Sequence, residues 1–444
     1  MSEIASERMQ QFACMRDTAR EIFTAALKNA SIENAFARNI HCERRLLRIG
    51  DDLHDLDSYH RVFVVSIGKA AHTMATALEA QLGGSGFEAG IVASSVEPSN
   101  LVRGFRYFRG GHPIPTAESI QAATAILNAL RSLNSSSLTI FMISGGGSSI
   151  LEKPVDDEIS LPDLAATYRA LVHSGAPIAE INVIRKHLSA VKGGRLARAA
   201  YPAQQVSILV SDVPDNTPDA LASGPTMPDS SSIHDCERIV AKYNLIQQFP
   251  GSVADLFRQC ALEETPKSDD PAFVRARWWT VLSNKVAIEE AVRAAARAGF
   301  AVEVDNSCDD QPYDKAAEYL LDRLRTMRSK QPRLCLISGG EVTVTVRNGG
   351  IGGRNQQFAL ACAEPIAGQN ITVLSAGTDG IDGNSPAAGA IVDGSTLHRV
   401  RGSEPIRQSL TAFDAYAFFD TLGDSVMTGP TGNNLRDLRI LLAY

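Results

Sequence analysis

A few residues of this chain place charge where it could act on an anion. Lys69 follows glycine in SIGKAA (66–71), at the end of an apolar run. Arg354 stands between glycines and amides in GGIGGRNQQ (349–357). A planar guanidinium in that setting can hold a carboxylate or phosphate through two parallel bonds. Asp212 and Asp379 each follow an apolar run and precede small residues, in SDVPDNTPDALASGPT (211–226) and SAGTDGIDGNSPAAG (375–389). Acids so placed can hold Mg²⁺ or take a proton, and aspartate also caps helices and turns. Asp215 and Asp219 read equally as loop or cap residues. Arg185, Lys186, Lys192 and Arg195 fall on one expected helical segment, where a charge run reads equally as a solvated face or an anion-binding set.

Glycine supplies the second kind of chemistry. In FMISGGGSSILEKP (141–154), Ser144, Gly145, Gly146, Gly147, Ser148 and Ser149 interrupt apolar sequence. A triple glycine loses much conformational entropy on folding, so bare backbone N–H groups are expected to be needed there. Gly339, Gly340 and Glu341, in SGGEVT (338–343), form a similar turn. Six such turns end apolar runs, more than packing alone asks for. The familiar phosphate motifs are absent. G-x-G-x-x-G would need glycine where Ile150 or Asn355 stands, and a P-loop ending at Lys69 would need glycine at Phe63 and a hydroxyl at Ala70. No G-x-S-x-G elbow is present. The parts suit phosphoryl transfer, which relies on positioning and charge neutralisation more than on a nucleophilic side chain.

The elements that must carry these turns alternate. RVFVVSIG reads as a buried strand, KAAHTMATALEAQL as a helix, AGIVASS as a strand, AESIQAATAILNALRSL as a helix and LTIFMI as a strand. The alternation predicts a parallel α/β sheet covered by helices. Such sheets bind ligands beyond the carboxyl ends of their strands. MQQFACMRDTAREIFTAALK (9–28) has helical spacing with one apolar face. After a polar, Pro-bearing stretch near 262–275 the alternation resumes with WWTVLS, and RLCLISGGEVTVTV reads as two strands joined by a glycine turn. The division expected is therefore 1–265 and 266–444.

The 444 residues are too many for one ordinary core. Hydrophobic content of 44% and charged content of 21% describe a globular chain without a membrane span. A net charge of −7 argues against a generic nucleic-acid binder. Seven dispersed cysteines read as reduced thiols, and nine histidines show no zinc spacing. The first residues are polar and mixed in charge, so a cytoplasmic protein is expected.

Taken together, SIGKAA, GGHPIP, SGGGSS, EINVIRKHLSAVKGGRLA, SDVPDN…ASGPT, GGRNQQ, SAGTDGIDG and TGPTGNNLRDL resemble the class II glycerate 2-kinases, which carry a C-terminal MOFRL-type domain. The likeness runs over nearly the whole chain. It implies two α/β domains with largely parallel sheets, a Rossmann-like glycerate kinase domain and a MOFRL-type domain, with the active site in the cleft between them. It implies transfer of phosphate from ATP, with Mg²⁺, to the 2-hydroxyl of D-glycerate, giving 2-phosphoglycerate. Lys69 and Arg354 map onto active-site residues of that family, and Asp212 and Asp379 onto its acidic positions. Ser144 to Ser149, with Gly339, Gly340 and Glu341, become the expected nucleotide-binding turns, and Asp212 and Asp379 the expected metal ligands. The family often has Gly-Asp where Asp215-Asn216 stand here, and commonly Glu where Gln357 stands. Expected partners are D-glycerate and ATP, with neither nucleic acid nor membrane, and a homodimer is left open. Rival readings are a nicotinamide-dependent hydroxypyruvate reductase, a kinase for another short hydroxy acid, and a non-catalytic binder of such acids. The reductase would call for a dinucleotide fingerprint, which is missing.

Overall fold

The computed structural model describes residues 3–83, 89–98, 100–329, 331–346 and 349–444. They form two compact units, one of Ile32–Val281 and the other of Met1–Ser31 with Leu282–Tyr444.

The Ile32–Val281 unit is built on a six-stranded sheet ordered Phe105–Arg109, Ala89–Ser94, Arg61–Ile67, Ser137–Ser144, Gln204–Val210 and Ala276–Leu282. The first five pair parallel. Strands buried on both faces read as unbroken apolar runs, and 62–67 and 137–144 are buried throughout. Phe63, Val65 and Ile67 share a core with Ala122, Ile126 and Leu130 of the helix Ala117–Arg131. The chain winds outward from Arg61–Ile67 to one edge, then crosses back to continue from Ser137–Ser144. The strand order therefore reverses between these two neighbours, which is where open α/β sheets bind ligands. Helices Leu161–His173, Ile178–His187, Ile233–Lys242 and Gly251–Arg258 close around a separate apolar cluster.

The other unit joins the two ends of the chain. Its sheet is ordered Ala301–Val304, Leu334–Gly340, Asp437–Ala443, Ile371–Gly377, Gly389–Asp393 and Ser425–Val426. Only the first pair is parallel among the described residues; the others are antiparallel. The α/β class thus holds in both units, whereas largely parallel pairing holds only in the first. The cause is Asp437–Ala443, an apolar strand to which the sequence reading assigns no element. It inserts antiparallel between two strands that would otherwise be neighbours. Residues 342–346 do not form the expected second strand. Instead the chain pairs with the preceding loop through Thr343 N–H to Gln311 O and Tyr313 N–H to Thr343 O.

The compact units do not coincide with the 265/266 division. The helix Glu3–Asn29 buries Phe12, Met15, Ile22 and Phe23 and packs on the helix Asn284–Arg297. The strand Ala276–Leu282 stays with the first sheet, where Trp278 donates to Thr226 O at 2.9 Å.

Candidate active site

In the Ile32–Val281 unit, the turns after the two central strands are stitched together. Lys69 N–H donates to Gly145 O at 2.9 Å, and Ala70 N–H to Ser144 Oγ at 3.1 Å. Lys69 is exposed, and its ammonium has no hydrogen-bond or ion-pair partner among the described residues. Gly146 has φ +80°, and a Cβ there would lie 3.0 Å from His112 Cδ2 and 3.1 Å from Lys69 Cγ. Any side chain on Gly145 would collide with the Asp212 carboxylate. Lys69, His112, Gly145, Gly146 and Asp212 therefore converge. Burial lowers the His112 pKa, and the Lys69 charge lowers it further. Lys69 also borders a cavity of about 400 Å³ lined by His72, Thr73, Thr76, Glu97 and Asn100.

The N–H groups of Gly146, Gly147 and Ser148 have no acceptor among the described residues, because the short helix Gly147–Ile150 begins with them. They are open to an anion. The hydroxyls are not equally so. Ser144 is buried and donates to Ile67 O, Ser149 donates to Gly146 O, and Ser148 pairs with Ser223 at 2.8 Å. Ser144 and Ser149, expected in a nucleotide-binding turn, thus spend their hydroxyls on holding the turn itself.

The basic run 185–195 is neither solvated nor free. Lys186 is buried between Asp219 at 3.1 Å and Asp229 at 3.2 Å. Burial opposes ionisation of Asp229, but Lys186 and Ser231 outweigh it and hold its pKa below the ordinary value. Lys192 is buried against Glu152, whose carboxylate also accepts from Ser189 and Tyr168. Arg185 lies over the Tyr168 ring at 4.7 Å, and Arg195 donates to Glu263 O.

The second cluster lies in the unit that contains the chain ends. Arg354 opens the helix Arg354–Ala363. Its Nε and Nη2 donate to the two oxygens of Asp437, at 2.7 and 3.0 Å, and Nη2 also meets Glu341 Oε1 at 2.8 Å. Burial alone would lower the Arg354 pKa, but the Asp437 and Glu341 carboxylates raise it overall. Asp437 pairs in register with both Gly340 and Gly377, at the ends of the flanking strands. Asp379 lies at the same place: a Cβ on Gly377 would be 3.1 Å from Asp379 Oδ1 and 3.5 Å from Asp437 Oδ1. Asp379 also accepts from Ile381 N–H at 3.1 Å, a local turn bond. Asp382 is buried and accepts from Asn355 N–H at 3.0 Å and Gln356 N–H at 2.8 Å, so it caps the helix that carries Arg354. Burial pushes its pKa up to about 7.

The Gly339–Glu341 turn differs from the triple glycine. Its N–H groups are taken by Asn306, Asn284 and Asp309, at 2.8, 3.0 and 2.9 Å. The expectation of a second backbone cradle is corrected: these two glycines let polar side chains approach, and their donors are spent on them. Gln357 is buried inside the helix packing.

Lys69, Asp212 and the triple glycine thus fall on one unit, and Arg354, Glu341 and Asp379 on the other. His112, Asp382 and Asp437 carry no role in the sequence reading, although GGHPIP, GTDGIDG and LRDL contain them. Among the described residues no group of three or more His, Cys, Asp or Glu is placed to hold a metal. No described helix is long and apolar enough to cross a membrane.

Residues 18–258 match a domain of unknown function, DUF4147, and residues 334–437 match the MOFRL family. A D-glycerate 2-kinase of Thermotoga maritima is 36% identical over 388 residues, covering 86% of this chain and 90% of that protein. A protein of Agrobacterium vitis, provisionally named a hydroxypyruvate reductase, is 36% identical over 437 residues, covering 96% of this chain and 94% of its own. The crystal structure of glycerate kinase from Thermotoga maritima superposes with a TM-score of 0.84 at 32% identity, over 97% of this chain and 100% of that one. With its two domain matches and these full-length likenesses, the chain belongs to the glycerate 2-kinase family.

Proposed function

We propose that this protein transfers the terminal phosphoryl group of ATP to the 2-hydroxyl of D-glycerate, giving 2-phosphoglycerate and ADP. The observation that carries this reading is the turn 144–149. It sits at the reversal of strand order with three N–H groups that have no acceptor among the described residues, beside a lysine that has no counterion among them. Backbone donors of that kind cradle phosphate oxygens, and the adjacent ammonium stabilises charge on the group in transfer. The relatives named as glycerate kinases supply the substrate class.

In this reading Lys69 faces the phosphoryl group. Gly146, Gly147 and Ser148 hold nucleotide oxygens through their N–H groups. Arg354 grips the glycerate carboxylate or a phosphate oxygen. Asp212 or Asp379 orients the acceptor hydroxyl and takes its proton. Mg²⁺ suits these residues, because it is commonly held by one or two carboxylates together with substrate phosphates, and a single acid in each cluster is enough for that. Asp212 and Asp379 are the residues that would hold it. When bound, the metal neutralises charge on the phosphate oxygens.

The test is a coupled ADP-release assay with Mg²⁺-ATP and D-glycerate, run against L-glycerate and other short hydroxy acids. Enolase is then added to the product. Glycerate-dependent ADP with a product that enolase accepts directly is the expected result. ADP release with a different acid would reassign the substrate. NADH oxidation with hydroxypyruvate and no ADP would overturn the reading in favour of the reductase.

A further inference from the structure

Asp437, in the LRDL segment, has no role in the reading above, yet it is the most tightly held partner of Arg354. Asp437 is 1% exposed on its side chain and grips Arg354 through two bonds, at Nε and Nη2. Behind it stands Arg439, completely buried, which donates to Gly339 O and Gly340 O at 3.1 and 3.2 Å and approaches Asp437 Oδ2 at 3.5 Å. Asp437 is therefore fixed from two sides at the centre of the sheet. The other partner is different in kind. Glu341 is 31% exposed on its side chain, and its carboxylate approaches Arg354 at Nη2. Arg354 Nη1 has no partner among the described residues.

The Nε–Nη2 edge of the guanidinium is thus locked by a two-bond pair with a buried carboxylate, and Nη2, where the outer edge begins, also meets a second, half-buried carboxylate. Removing one partner of a buried pair leaves an uncompensated charge and is costly, whereas a single contact open in part to water is worth less and exchanges more readily. We propose that Asp437 is a positioning residue that fixes Arg354 by its Nε edge, so that the outer edge can exchange Glu341 for an anionic ligand carrying a carboxylate or phosphate. Glu341 then occupies the anion's place until the anion arrives. This rests on Arg354 acting in the proposed kinase reaction.

A double-mutant cycle in the full chain separates positioning from mere support. Asp437→Asn should lower kcat roughly 30-fold or more in the otherwise unchanged protein, yet less than about twofold in an Arg354→Ala background, since the fork it aims is then gone. Costs that simply add would overturn the proposal. If Asp437→Asn does not fold, Arg354→Lys decides. Lysine keeps the charge but cannot accept a two-bond grip, so its kcat should fall to that of Arg354→Ala. A lysine variant with wild-type kcat would also overturn it. Glu341→Gln should lower the KM for the acid or for ATP several-fold by removing an internal competitor, and an unchanged or raised KM for both would refute the exchange. Should the wild-type protein show no glycerate-dependent ADP release, the functional reading fails, and the positioning claim is then read by NMR. The Arg354 Nε–H resonance, identified by its absence in Arg354→Lys, should exchange slowly with water, and rapid exchange would sink the claim.

Discussion

Lys69 is held by its backbone rather than by a counterion. Its N–H is tied to Gly145 O while the ammonium has no partner among the described residues. Removing the side chain therefore costs little packing. Lys69→Ala should lower kcat by about 100-fold or more while changing stability by less than about 0.5 kcal/mol, as expected for an exposed side chain that meets transferring charge. Turnover in the ADP assay and a urea denaturation curve check both halves. Asp382 makes a pH prediction. Burial raises its pKa in the folded protein to about 7, from an ordinary value of 3.8. The folded state then binds more protons than the unfolded state between those values, so this group's contribution falls as pH rises through that window. Replacing it with asparagine should flatten that part of the stability profile. The difference between the two proteins should grow from pH 4 to pH 8 by an amount on the order of a few kcal/mol, measured by denaturation at each pH. A constant difference would show that Asp382 does not titrate there.

Among the elements, the turn 144–149 depends on Gly146, where a side chain would meet a positive φ and two close neighbours that must shift to admit it. Gly146→Ala should displace Lys69 or His112 and lower kcat/KM about tenfold, with a loss of stability of about 1 kcal/mol or more from backbone strain. Steady-state kinetics beside thermal melting checks it. The turn itself was legible in sequence, because three glycines after a buried β-branched run have few structural reasons to be there. The placement of Lys69 and Asp212 beside that turn was legible for the same reason: each comes two residues after the end of such a run. The roles of Lys186 and Lys192 were not. Their acids, Asp219, Asp229 and Glu152, are distant in sequence, so nothing local distinguishes a buried pair from a solvated face. Glu152→Ala should cost roughly 3–5 kcal/mol, because it strands the buried Lys192 charge; a loss under about 1 kcal/mol would mean that water reaches the pair. Asp437 escaped notice for a topological reason. DLRILLA has an arginine in its centre, and only its place between two other strands, with Arg439 turned onto the Gly339 and Gly340 carbonyls, makes it a core strand. The closed state of the 339–341 turn was hidden likewise, since Asn284, Asn306 and Asp309 reach it from other segments.

For the molecule as a whole, the alternating pattern announced α/β architecture but not which end of the chain completes which unit. Amphipathic spacing identifies the apolar face of the helix Glu3–Asn29 without naming its partner, which turns out to be the helix Asn284–Arg297 and the sheet beyond it. Deleting residues 1–29 should therefore loosen the far end of the sequence. Hydrogen exchange should accelerate in the strands Ile371–Gly377 and Asp437–Ala443 and remain slow in Arg61–Ile67. Equal acceleration everywhere would contradict that division. The same threading sets an order of events during synthesis. The helix Glu3–Asn29 leaves the ribosome roughly 400 residues before Asp437–Ala443, which stands at the centre of its own sheet. At about 5–20 residues per second, the apolar face of that helix waits tens of seconds for its partners. The Ile32–Val281 unit can meanwhile fold around its own sheet. A nascent chain of this protein thus carries a finished unit and an orphaned amphipathic helix at once. That helix is the apolar face a chaperone would cover in the interval.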